Sequence, residues 1–112
     1  MQQTPYPPGR IEINMTHNPL AFMLMMVTPN VLINGHPYPA KWGRNFYDLP
    51  PGHYDVAASF PYMGSSATGL ARLQVPVHPQ HATIVMYEAP FFMWSGGTMR
   101  VTQTIPMHFN IA

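Results

Sequence analysis

At 112 residues and 12.6 kDa the chain has the length of one domain, enough to bury a single core. Its apolar fraction of 46% is ordinary, but its charged fraction of 8% lies far below the roughly 25% of a typical domain, and the net charge is only +1. So few charges exclude high-charge disorder and a phosphate-neutralising surface, and the absence of cysteine excludes a disulfide framework, a zinc knuckle and a thiol nucleophile.

In chain order, residues 1–9 (MQQTPYPPG) form a Pro-rich tail with neither the basic start nor the apolar stretch of a secretory leader. Arg10–Thr16 alternates: Ile11, Ile13 and Met15 are apolar, and Arg10, Glu12, Asn14 and Thr16 are polar. Period-two patterning of this kind predicts a half-buried strand. Leu20–Val27 is apolar at every position and reads as a strand with Phe22, Leu24 and Met26 on one face and Ala21, Met23, Met25 and Val27 on the other. Such a strand is either covered on both faces within the protomer by the C-terminal tail or meets a partner with its second face, with a short helix as the remaining alternative. It is the longest apolar run, far short of the about 20 residues of a spanning helix.

Val31–Ile33 runs into Asn34-Gly35, a hairpin-turn dipeptide, and Pro37 and Pro39 bar a regular central strand around Tyr38. Asn45–Leu49 is a short strand ended by the Pro50-Pro51-Gly52 turn. Tyr54, Val56, Ala58 and Phe60 then alternate with Asp55, Ala57 and Ser59. Pro61–Gly69 reads as a loop, Leu73–Val77 as a strand with Pro76 marking its end or an edge, and His78–His81 as a turn. Ala82–Tyr87 and Met99–Thr104 complete the set. About seven strands at ten-residue spacing predict an all-β fold, a small antiparallel β-sandwich of Ig-like type over residues 10–104, with a C-terminal tail at 105–112; a small barrel shares the same pattern.

Four segments carry a resemblance. Gly9–Ile13, Val31–Gly35, Asn45–Ser59 (NFYDLPPGHYDVAAS) and Leu73–Tyr87 resemble the opening strand, second strand and turn, Pro-Gly signature and closing hairpin of PEGA-like domains. The chain also resembles small uncharacterised actinobacterial β-sandwich proteins with a Pro-rich N-terminus. The likeness spans residues 9 to 90, with Leu20–Val27 as an insertion and Phe91–Ala112 as an extension. It implies a sandwich and a non-catalytic interaction role, without a substrate or a site.

Function is expected in the apolar surface. Met23, Met25 and Val27 lie on the second face of the apolar run. Phe91, Phe92, Met93 and Trp94 form a knot after the seventh predicted strand, and Tyr62 and Met63 form a similar one after Phe60. Together these residues are the expected partner-binding surface, with methionine as an adaptable contact and the aromatics as anchors. The expected partner is a protein, either a second copy or a larger complex, with peripheral membrane contact as a further mode. The expected location is the cytoplasm or the membrane periphery.

Other chemistries find less support. The carboxylates are Glu12, Asp48, Asp55 and Glu88, with Glu12 and Asp55 facing outward on different strands. No nucleophile elbow, P-loop or dinucleotide fingerprint occurs, so no enzyme, cofactor or small-molecule substrate is expected. Carbohydrate binding is the alternative, with Trp42, Tyr47, Tyr54, Tyr62 and Trp94 as ring platforms and Arg44, Asn45 and Asp48 as hydroxyl partners. A less favoured reading is copper(I), from Met15-Thr16-His17, His78-Pro79-Gln80-His81 and Met107-His108. Structurally, most of these methionines read as core, the histidines as solvated turns, and Trp42 as packing beneath the loop that joins two strands.

Overall fold

The computed structural model describes residues 7–18, 24, 26–62, 65–90 and 96–107. Among the described residues eight strands form, where about seven were expected: β1 (Gly9–Thr16), β2 (Asn30–Ile33), β3 (His36–Tyr38), β4 (Gly43–Leu49), β5 (Gly52–Tyr62), β6 (Ser65–Val77), β7 (His81–Glu88) and β8 (Thr98–Pro106). They make two four-stranded sheets, ordered β4-β1-β7-β8 and β3-β2-β5-β6, packed as the expected sandwich. Among the described residues no helix is long and apolar enough to cross a membrane.

Alternation places the core. Ile11, Ile13 and Met15 of β1, with Tyr47, Leu49, Val85 and Tyr87, meet Val31, Ile33, Val56, Ala58, Val75 and Val77 of the other sheet. Thr83 is the polar exception among the inward residues of β7. Its hydroxyl donates to Pro76 O at 2.6 Å, which ties the two sheets together and satisfies a fully buried group. Buried phenols behave likewise: Tyr87 donates to Gly69 O and Tyr47 to Pro39 O, each at 2.6 Å. Burial pushes the Tyr47 phenol up to about 12 and raises that of Tyr87 as well.

Three details depart from the local patterns. First, β1 pairs parallel with β7, from Arg10 opposite Ala82 to Thr16 opposite Glu88, while every other pair is antiparallel. Second, much of the loop expected at Pro61–Gly69 is strand: β5 runs to Tyr62 and β6 starts at Ser65, with register shifts around Phe60 and Gly69 at a φ of 65°. A bulge lets the hairpin continue through residues that lack alternation. Third, the described part of Leu20–Val27 is not a strand. Leu24 and Met26 are 3₁₀-helical and Val27 N–H donates to Leu24 O at 3.1 Å. Leu24 is fully buried and Met26 is 87% exposed, so the two do not share a face as expected. The turn needs no neighbouring strand, because the Trp42 indole N–H lies 2.8 Å from Leu24 O and 3.0 Å from Val27 O.

Candidate functional site

Strand register divides the sandwich into two poles. At one lie the Asn34-Gly35 hairpin, the Leu49–Gly52 turn, the His78–His81 turn and the end of β8. Gln80 N–H donates to Pro8 O at 3.1 Å and Met107 N–H to Gln80 O at 2.8 Å. At the other lie the end of β1, the Tyr38–Gly43 connection, the β5–β6 hairpin and the β7–β8 connection. Here Ala89 N–H donates to Thr16 O at 2.8 Å and Gly97 N–H to Leu70 O at 3.2 Å.

All the expected partner-binding segments depart from this second pole. Val27 is half-buried and held by Trp42; Tyr62 is half-buried at the end of β5, opposite Ser65. Met23, Met25, Met63, Phe91, Phe92, Met93 and Trp94 lie outside the described residues. Their described chain neighbours nevertheless converge. Leu24 and Met26, Tyr62 and Ser65, and Pro90 and Gly96 belong to three connections at one end of the molecule.

Trp42 closes that end. Its ring meets Phe60 at 5.7 Å and His17 edge-on at 4.8 Å, while its N–H faces the Leu24 and Val27 carbonyls. The indole therefore packs beneath the loop between β1 and β2, and its one donor is already engaged. The proposed sugar-hydroxyl partners are similarly occupied. Asn45 is buried and donates to Ile13, Lys41 and Gly43 carbonyls while accepting from Lys41 N–H. Tyr54, one of the expected ring platforms, donates its hydroxyl to Pro50 O at 2.6 Å.

Each of the four carboxylate side chains pairs across strands with one arginine: Asp48 with Arg10 (2.6 Å), Glu12 with Arg44 (3.2 Å), Asp55 with Arg72 (2.9 Å) and Glu88 with Arg100 (2.9 Å). The Asp48 hydrogen bond, with the nearby Asp48 and Glu12 charges, raises the Arg10 pKa against the opposing effect of burial. Glu12 and Asp55 do lie on the outer faces of different sheets, as their alternation predicts. The pairs differ in exposure. The Glu12 side chain is only 10% exposed, whereas both members of the Glu88 pair are open to water. Arg44→Ala strands a nearly buried carboxylate and is expected to cost about 2 kcal/mol. Arg100→Ala is expected to cost less than about 1 kcal/mol, and urea unfolding of the two variants measures the difference.

The copper groupings split between the poles. Met15 is sealed in the core beside the second pole and His17 lies against Trp42. His78 and His81 sit at the first pole with ring centroids 6.4 Å apart, where the His81 Nδ1 lies 2.8 Å from Pro79 O. Among the described residues no three His, Cys, Asp or Glu side chains gather to hold a metal. His108 lies outside the described residues.

One surface feature escapes the strand-by-strand reading. On β4, Asn45, Tyr47 and Leu49 turn inward, so Phe46 faces out, half-exposed, with the Arg10 and Arg44 guanidiniums 5.5 and 5.2 Å from its ring centroid. The Arg44-Asn45-Phe46-Tyr47-Asp48 alternation was the available signal, but an inward Asn opposite an outward Phe inverts the usual polarity. Compared with known proteins, the chain matches no family model, no curated protein and no solved structure.

Proposed function

We propose that this protein is a non-enzymatic interaction subunit that docks through its methionine- and aromatic-rich pole onto a protein partner, a second copy or a membrane-associated complex. The observation that carries this reading is the convergence of three connections, after β1, β5 and β7, whose sequences hold Met23, Met25, Met63 and Phe91–Trp94. Connections rooted at one end of a sandwich share that end, and the sequences of these three supply aromatic anchors and adaptable thioethers for docking. Composition supports the same reading: charged residues are only 8% of the chain, so few ionised groups oppose apolar association. The resemblance to PEGA-like modules, which have interaction roles, points the same way.

The test substitutes Phe92→Glu and Met25→Glu separately and follows association by size exclusion and pull-down, with circular dichroism as the folding control. Loss of an anchor worth about 2 kcal/mol weakens association roughly thirtyfold. Folded variants that associate as tightly as the parent chain contradict the reading.

A further inference from the structure

Among the described residues, the one-to-one pairing of arginines with carboxylates leaves Lys41 as the one lysine or arginine side chain with no carboxylate side chain in salt-bridge reach. Lys41 is exposed on the connection between β3 and β4, where it lines a shallow groove of about 310 Å³ together with Pro39, Ala40, Phe46 and Tyr47. Arg44 lines the same groove, but Glu12 holds its Nε and Nη2. Across Pro39 and Ala40, which line both, a second depression of about 470 Å³ continues along Tyr38, Pro37, Leu32 and Pro29. The lining is mostly apolar, with Thr28, Asn30 and Ser59 among it in the second depression and Asn45 in the first, and the Lys41 charge stands at one end.

The loop bearing Lys41 is held in place. Buried Asn45 accepts a hydrogen bond from Lys41 N–H at 2.9 Å and donates to Lys41 O at 2.8 Å, with further donation to Ile13 O and Gly43 O. A buried amide at a core position is thus spent on fixing the backbone beneath a surface lysine. Phe46 is similarly fixed, between two guanidiniums. Ordering such groups in advance lowers the entropy cost of binding. The rim also constrains how an occupant lies. Pro37 and Pro39 have no N–H to offer and Tyr47 already occupies Pro39 O, so ladder pairing along β3 is blocked and recognition falls to side-chain contact.

We propose that this groove binds an extended apolar peptide segment of a protein partner that sets a carboxylate against Lys41. The groove lies at the same pole as the proposed docking segments and reaches Pro29 of the β1–β2 connection, but Lys41, Phe46 and Tyr47 lie outside the three apolar connections, so the Lys41 test and the Phe92 and Met25 test can each fail without the other. It is tested on the full ¹⁵N-labelled chain by amide chemical-shift titration with two doubly capped tetrapeptides, leucyl-prolyl-phenylalanyl-glutamate and its glutamine counterpart. The glutamate peptide is expected to shift amides of residues 38–47 and to bind about fivefold more tightly than the glutamine peptide, as one exposed ion pair allows. Lys41→Gln is expected to erase that difference and Lys41→Arg to retain it, with amide shifts elsewhere reporting an intact fold. Equal titration by the two peptides, no response from the groove at millimolar peptide, or a glutamate preference that survives Lys41→Gln overturns the proposal.

Discussion

Gly69→Ala is expected to destabilise the sandwich by about 3 kcal/mol, lowering the melting temperature by about 12 °C. Gly69 sits at the β6 bulge with a φ of 65°, a region that disfavours a Cβ. Space is lacking as well. A Cβ there would lie 2.6 Å from Phe60 Cε1, 2.8 Å from Pro90 Cδ and 2.9 Å from the Tyr87 hydroxyl oxygen, so it is blocked on three sides. That hydroxyl donates to Gly69 O, and Gly97 packs against the same ring and the same carbonyl. The two glycines therefore set how closely β6 approaches the start of β8. Gly35→Ala separates the two costs: its φ of 81° is equally left-handed, but nothing lies within 4 Å of the added carbon. That variant is expected to lose only about 1 kcal/mol. Equal losses at the two sites would mean that crowding contributes nothing, which thermal and urea unfolding can decide.

Trp42→Ala is expected to cost about 3 kcal/mol, at the lower end for removal of a large aromatic because the residue is only half-buried. The loss combines the contacts with Phe60 and His17 and the indole N–H facing Leu24 O and Val27 O. Trp42→Phe keeps most of the ring contact and removes the donor, so it is expected to cost about 1–2 kcal/mol. Because Trp42 supports the connection between β1 and β2, Trp42→Ala also loosens one of the three segments of the proposed docking pole. Hydrogen exchange at Val27 should accelerate in Trp42→Ala well beyond its change in Trp42→Phe. If both variants unfold at the wild-type urea midpoint, the indole does not close this end.

Where side-chain alternation is strict, the structure was readable from residues. Ile11, Ile13 and Met15, and Val56, Ala58 and Phe60, face inward as their period implies. Trp42 also packs beneath the loop that joins two strands, the structural reading of that residue. Pairing was less accessible. The parallel union of β1 with β7 joins segments about seventy residues apart, and no local pattern announces it. The salt bridges were half visible: outward charge was evident at Glu12 and Asp55, but its partners depended on register between distant strands. Gly69 hid the β5–β6 hairpin, since a bulge breaks alternation where the ladder continues. Leu24 misled for another reason. An apolar run bounded by prolines fits a covered strand as well as a turn, and the choice was settled by Trp42, eighteen residues away. The groove at Lys41 depends on Asn45 turning inward, against the polarity expected of its side chain.

The docking reading is tested most directly by the mass of the assembly isolated under native conditions from the protein's own source, compared between the parent chain and Phe92→Glu. The account predicts a mass well above 12.6 kDa for the parent chain and a folded, lone protomer for the variant. A parent chain that is itself a lone protomer, or a variant that keeps the full assembly, contradicts it.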